Sequence, residues 1–315
     1  MQNKPALTNE ALDVLIEKLR RTPENFKVIR RLQETGEFPL VEKEPDTYLG
    51  VVLDTETTGN DIVTDSLIEL GMVFFTVCKT TLRVRGIYAR FNQLDDPGQP
   101  ISAAATAING ITDDMVKGHR IDEDIIDASL EGVDFIIAHN AGFDRPICEK
   151  RLPIFETIPW GCSFKQVDWK AEGIGSAKLD YIAYQLGFFF DGHRAEIDCI
   201  ALLLALDQAL PITGTTGLQQ VLKNMNTPTK RIAAVGAPFD TKDVLRAQDY
   251  FWADGTVPNT DKAWTKDVPE DALTSELQWL KQNGFKNKSV GVPVRVITGL
   301  TRFTNRLPPA EIVYC

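Results

Sequence analysis

Histidine is scarce in this chain, with three residues in 315. The five cysteines (Cys78, Cys148, Cys162, Cys199 and Cys315) are scattered, odd in number and form no CxxC pair. That pattern argues against a zinc site or a disulfide framework and predicts reduced, mostly buried thiols. No uncharged apolar run approaches the ~18 residues of a membrane span. The first twenty residues, MQNKPALTNEALDVLIEKLR, lack an apolar signal core, so a cytoplasmic protein with no membrane partner is expected. Basic residues are in deficit, 34 against 44 acidic, and the net charge of −10 at first argues against a polyanionic partner.

The distribution of charge says something different. Residues 1–227 carry a net −12, whereas residues 228–315 carry +2. From Lys281 onward six basic residues are opposed only by Glu311. An acidic body with a basic tail suits a polyanion held partly through metal ions, although an uneven solvated surface gives the same balance. At 43% hydrophobic and 25% charged, the composition is that of a globular protein with one domain of usual size and a smaller companion.

Three segments are expected. Residues 1–46 form an N-terminal helical extension, or alternatively a partner-binding arm. Its apolar residues recur at Leu12, Leu15, Ile16 and Leu19, then at Phe26, Val28, Ile29 and Leu32. Thr8 starts the first helix and Thr22-Pro23 the second. Residues 47–227 form an α/β body. "LGVVLDTETTG" reads as a strand buried on both faces, and "SLIELGMVFFTVC" with "TLRVRGIYARF" as a hairpin. A core strand follows at 135–138, a last strand in "WGCSF", and helices at 179–186 and 195–210. After a linker in "KNMNTPTK", residues 228–315 form a small α+β module. It has a strand near 231–235, a helix at 242–248, the aromatic runs "YFWAD" and "KAWTK", the helix "EDALTSELQWLKQN" and the strand "VPVRVITG".

The chemistry is carried by carboxylates at strand ends. Asp54 and Glu56 are two apart on a strand, so they project from one face and repel each other unless a cation lies between them. Oxygen-only ligands select hard ions such as Mg²⁺ or Mn²⁺, but the pair alone reads equally as solvated or salt-bridged. Asp144 follows the strand at 135–138 and the turn His139-Asn140-Ala141-Gly142. Asp198 lies in the first turns of a helix that starts at Ala195, and His193 stands in the loop before it, placed to take a proton from water.

The order D-x-E, H-N-x-x-F-D, H-x-x-x-x-D resembles the DEDDh (DnaQ-like) 3′→5′ exonuclease family. The resemblance covers about residues 48–210 and includes "TTG" at 57–59, "NGITDDMV" at 109–116 and "HRAEIDCIALL" at 193–203. It implies a ribonuclease-H-like fold, a mixed five-stranded sheet flanked by helices. It further implies that Asp54, Glu56, Asp144 and Asp198 hold two Mg²⁺ (or Mn²⁺) ions and that His193 is the general base. Arg194 stands where the tyrosine branch of the family carries its tyrosine. The resemblance also implies that the Thr57 backbone contacts the terminal nucleotide and that Ile111 wedges near the last base. His139, Asn140 and Phe143 line the same turn, with Asn140 alternatively a helix cap and Phe143 core. The implied activity is a metal-dependent 3′→5′ exonuclease that releases nucleoside 5′-monophosphates from single-stranded 3′ ends, DNA ahead of RNA. The alternatives are an RNA-trimming exoribonuclease and a polymerase-accessory binding protein on a nuclease fold. In the tail, Tyr250, Trp252 and Trp264 read either as a base-stacking platform or as core, and Arg295, Arg302 and Arg306 as phosphate contacts. A homo-oligomer or a replication or repair partner is compatible with the sequence and not readable from it.

Overall fold

Val51, Val52 and Leu53 are fully buried on a strand that runs Thr47–Thr57 (β1). A strand covered on both faces needs such an unbroken apolar run. Strand β2 (Leu67–Cys78) pairs with β1 antiparallel, and β3 (Val84–Leu94) extends the hairpin. On the other side β4 (Phe135–Ala138) and β5 (Trp160–Cys162) add in parallel, which gives the order β3-β2-β1-β4-β5. This computed structural model describes residues 9–33, 35–256 and 260–315.

The central sheet is sandwiched between helices. Helices α1 (Asn9–Arg21), α2 (Ala103–Asn109) and α3 (Glu123–Leu130) precede β4, and α4 (Ala141–Arg151) follows it. Helices α5 (Leu179–Gln185), α6 (Ala195–Asp207) and α7 (Gly217–Asn226) complete the body. Leu49, Val51 and Leu53 pack with Ile147 and Cys148 of α4 on one face. On the other face Val52, Val73 and Phe75 pack with Ile200, Leu203 and Leu206 of α6. Helix α6 is apolar on nearly every side after Asp198, as a helix sealed between a sheet and its neighbours must be. All five cysteines are unpaired, four of them buried and Cys315 half-buried. Among the described residues no helix is long and apolar enough to cross a membrane.

The C-terminal residues build a second, wholly antiparallel sheet. Its strands are β6 (Thr229–Ala234), β7 (Phe251–Ala253), β8 (Ala263–Val268), β9 (Gly291–Ile297) and β10 (Glu311–Tyr314), in the order β10-β9-β6-β8-β7. Helices α8 (Lys242–Ala247) and α9 (Leu273–Trp279) accompany it. Tyr250 is core, 2% exposed and stacked on Trp279, whereas Trp252 is half exposed beside Trp264. Buried arginines join this sheet to the α/β body. Arg145 of α4 is fully buried and donates to the carbonyls of Gly299, Leu300 and Arg302 at 2.7–2.9 Å. Arg302 in turn donates to the carbonyls of Asn224 and Thr227 at 2.7 and 3.1 Å.

Several expectations are corrected. The second N-terminal helix is absent. Pro23–Asn25 makes one 3₁₀ turn, after which Arg30–Arg31 pairs in parallel with Phe188–Phe189. Phe26 and Val28 are exposed and only Leu32 reaches the main core, so no apolar face stabilises a helix there. Thr8, expected to start the first helix, lies outside the described residues. Strand β10 was not expected. The three tail arginines, expected as phosphate contacts, are engaged within the protein. Arg295 pairs with Asp261, Arg302 is 6% exposed, and Arg306 pairs with Glu149 at 2.9 Å.

Candidate active site

The rim of the central sheet gathers the acidic residues. Asp54 and Glu56 project from the face of β1 that α6 covers, and Asp198 meets them from that helix. Oxygen atoms of these three carboxylates lie within 4.8 Å of one another, and all three residues are half-buried. The ladder between β1 and β2 shifts register at Glu56 and Thr57, a bulge of the kind that re-aims side chains beside active sites. Asp144 comes from the opposite layer. It is 3% exposed, and its Oδ1 accepts from the Thr55 hydroxyl at 2.8 Å.

Close approach of α6 to the sheet depends on Gly71, the residue opposite Asp54 in the ladder. A Cβ there would lie 2.5 Å from the Ala195 carbonyl carbon and 2.7 Å from the Glu196 nitrogen. The helix start therefore rests directly on backbone, one turn before Asp198. The Asp198 carboxylate is fixed by backbone N–H groups of His193 (2.8 Å) and Arg194 (3.2 Å). His193 is exposed, and φ of +69° places it in the left-handed region. The loop is braced from behind by Glu69, fully buried and paired with Arg194 at 2.7 Å.

The electrostatics are those of an uncompensated acidic hole. Burial raises the Asp54 carboxyl well above its usual range, and the charges of Asp144, Asp198 and Glu56 raise it further. Burial pushes Glu56 up to about 7, against a hydrogen bond from Asn109 at 3.2 Å. It pushes Asp144 up to about 7, against the bond from Thr55. It also raises Asp198 to about 6, against its two backbone donors. Four hard oxygen donors that resist ionising together fit a divalent cation site.

The other expected contacts divide. Asn140 is exposed in a left-handed turn (φ 76°) and its side chain does not cap α4. Phe143 is half-buried, and Thr57 is buried with its hydroxyl on the Gly59 carbonyl. Two expectations fail on burial. Ile111 is fully buried with Ile68, Ile101 and Val116, so it presents no surface to a base. His139 has both ring nitrogens engaged, Nδ1 with the Ser163 hydroxyl at 2.7 Å and Nε2 with the Ala177 carbonyl at 2.8 Å. Burial lowers its pKa to about 4, so it is a neutral brace of the turn. Sequence reasoning missed Glu69, Asn109, Thr55 and Gly71. A glutamate inside the apolar run "LIELGMV" was the available signal for the first.

Comparison with known proteins agrees with this geometry. The RNase_T exonuclease model matches residues 51–206. DNA polymerase III subunit epsilon of Treponema pallidum is 36% identical over 157 residues, which are 46% of this chain and 68% of that protein. This chain belongs to the RNase_T exonuclease family. Members of this DnaQ-like family depend on metal ions, and this chain has an acidic cluster of Asp54, Glu56 and Asp198. Within the family, DNA polymerase III PolC-type of Listeria monocytogenes is 41% identical over 107 residues, 32% of this chain. The match takes in only 6% of that polymerase's length. Among solved structures, exonuclease X in complex with 5′-overhanging duplex DNA has 26% identity and a TM-score of 0.42. That likeness covers 55% of this exonuclease chain and 97% of the other.

Proposed function

We propose that this exonuclease removes nucleotides one at a time from single-stranded 3′ ends of DNA and releases nucleoside 5′-monophosphates. The reading is carried by the convergence of Asp54, Glu56 and Asp198 beside His193. Asp54, Glu56 and Asp198 would hold one Mg²⁺ or Mn²⁺, and Asp144 would help hold a second together with Asp54. When bound, such ions neutralise the carboxylates and the scissile phosphate and stabilise the departing 3′ oxygen. His193, in its neutral form, takes the proton of the attacking water at a ring nitrogen. Its own backbone N–H holds Asp198, so base and carboxylate are placed by one short loop. Water oxygen bonds to phosphorus as the bond to the 3′ oxygen breaks, and that oxygen is protonated as it leaves. Thr57, Asn140 and Phe143 are the residues we assign to the terminal nucleotides.

Residues 47–227 are the proposed catalytic unit, with 1–46 and 228–315 as attached parts, working in the cytoplasm in a replication or repair setting. The likeness to DNA polymerase III proteins supports DNA over RNA. The test is a panel of 5′-labelled single-stranded DNA, duplex DNA and RNA with Mg²⁺ or EDTA. Single-stranded DNA should be shortened from its 3′ end only with the metal. Asp54→Asn should lower the rate by orders of magnitude, and His193→Gln by roughly 10²–10⁴. A wild-type rate in Asp54→Asn would refute the mechanism, and faster cleavage of RNA would move the enzyme to the RNA-trimming reading.

A further inference from the structure

A cavity of about 530 Å³ lies between the nuclease body and the C-terminal sheet. Its near wall is Asn140 and Gly142, in the turn that leads into α4 and Asp144, and its far wall is Arg231 and Phe251 on β6 and β7. Lys165 and Gln166 lie between them. Phe251 is 50% exposed, and the Arg231 guanidinium sits 5.9 Å from its ring centroid. Arg231 is held in place by Asp267 at 2.6 and 2.8 Å, which also takes up the one carboxylate of the lining. Lys165 is exposed and forms no ion pair among the described residues. Gln166 is 7% exposed. Its Oε1 accepts from the Cys162 N–H at 2.7 Å, which fixes the amide, and its Nε2 is buried with no hydrogen-bond partner.

The cleft therefore combines an exposed aromatic ring and a cation without an ion-pair partner among the described residues. An unpaired nucleotide has the complementary parts: a base for Phe251 and a phosphate for Lys165. Asn140 and Gly142 precede Asp144 by four and two residues, so the cleft borders the turn that leads to that carboxylate. We infer that this cleft holds an unpaired nucleotide of the substrate strand, upstream of the 3′-terminal residue being removed. The inference rests on the exonuclease reading and adds a length requirement to it. An oligonucleotide too short to reach Phe251 is held by the rim alone, and a longer strand gains the second anchor.

The experiment compares kcat/KM on a DNA trinucleotide and on a single strand of about 12 nucleotides, within the usual reach of one single-strand groove. The full-length enzyme is used with Mg²⁺. Phe251→Ala should lower the long-to-short ratio roughly tenfold, mainly through KM on the long strand, and Phe251→Trp should restore it. Lys165→Ala should make binding of the long strand, measured by anisotropy in EDTA, less steeply dependent on salt by about 0.7 in log–log slope. Thermal melting of each variant separates these effects from misfolding. An unchanged ratio in folded Phe251→Ala, or an equal loss on both lengths, overturns the cleft assignment. So does inhibition by free dTMP that Phe251→Ala relieves while the length preference persists, because the cleft would then be a product site. If the wild type hydrolyses neither length, the exonuclease reading itself fails.

Discussion

Replacing Gly71 with alanine adds one methyl group, and the geometry fixes what it meets. The new Cβ would stand 2.5 Å from the Ala195 carbonyl carbon and 2.7 Å from both the Ala195 methyl and the Glu196 nitrogen. Ordinary contact begins at 3.4 Å, so the start of α6 must withdraw by about 1 Å. Two of the three neighbours are backbone, which cannot swing aside as a side chain can. Overpacking of this size costs about 1–3 kcal/mol. The larger effect falls on the site, because Asp198 rides on the displaced turn, and misplacement of about 1 Å lowers a rate by roughly 10²-fold. We expect Gly71→Ala to lose about that factor on labelled single-stranded DNA and to require more Mg²⁺ for half-maximal activity. Gly50→Ala is the matched control. Its Cβ would press on the rings of Phe135 and Phe75 at 2.5–2.8 Å, deep in the body and away from the rim. It should lower the melting temperature with little loss of rate per folded molecule. A Gly71→Ala enzyme with a wild-type rate and melting temperature would show that α6 is not seated as described.

The metal-free enzyme should lose stability as pH rises from about 4.5 towards 7. Glu56 and Asp144 titrate near 7 and Asp198 near 6 in the fold, so the native state keeps protons that the unfolded chain has released. Mg²⁺ should accordingly raise the melting temperature more near pH 8 than near pH 5.5, and equal increments would refute the acidic-hole description. Arg145→Ala should lower the melting temperature by roughly 10 °C, since three carbonyls and Glu149 lose a buried charged donor. A chain ended after Thr227 should be no better folded, and a soluble truncation with a wild-type melting temperature would contradict that.

The sequence was most legible where one side chain decides a structure locally. The run at 49–53 could only be a covered strand, and the spacing of Asp54 and Glu56 sets their common face. The apolar stretch after Asp198 likewise could only be a sealed helix. It was least legible where a residue's partner lies far along the chain. Arg302 and Arg306 count as basic surface until one sees acceptors 73 to 157 residues away, half of them backbone carbonyls that composition cannot show. Ile111 and His139 sit inside motifs yet serve the frame, since a motif records which residues matter and not whether they face substrate. The pattern at Phe26, Val28 and Ile29 has helical spacing, but the body offers only Leu32 a place to pack.

Asp144 and Arg145 are neighbours on one helix, and they look in opposite directions: one to the catalytic rim, the other into the carbonyls at 299–302. A guanidinium offers five donors in a rigid fork, and a lysine in its place could not serve Glu149 and three carbonyls at once. The nuclease body and the C-terminal sheet are therefore not interchangeable parts. A chimera that joins this body to a foreign tail would strand a buried cation beside the buried Asp144 carboxylate. Any successful exchange would have to carry the 299–302 loop along with the body or replace Arg145 with an apolar residue.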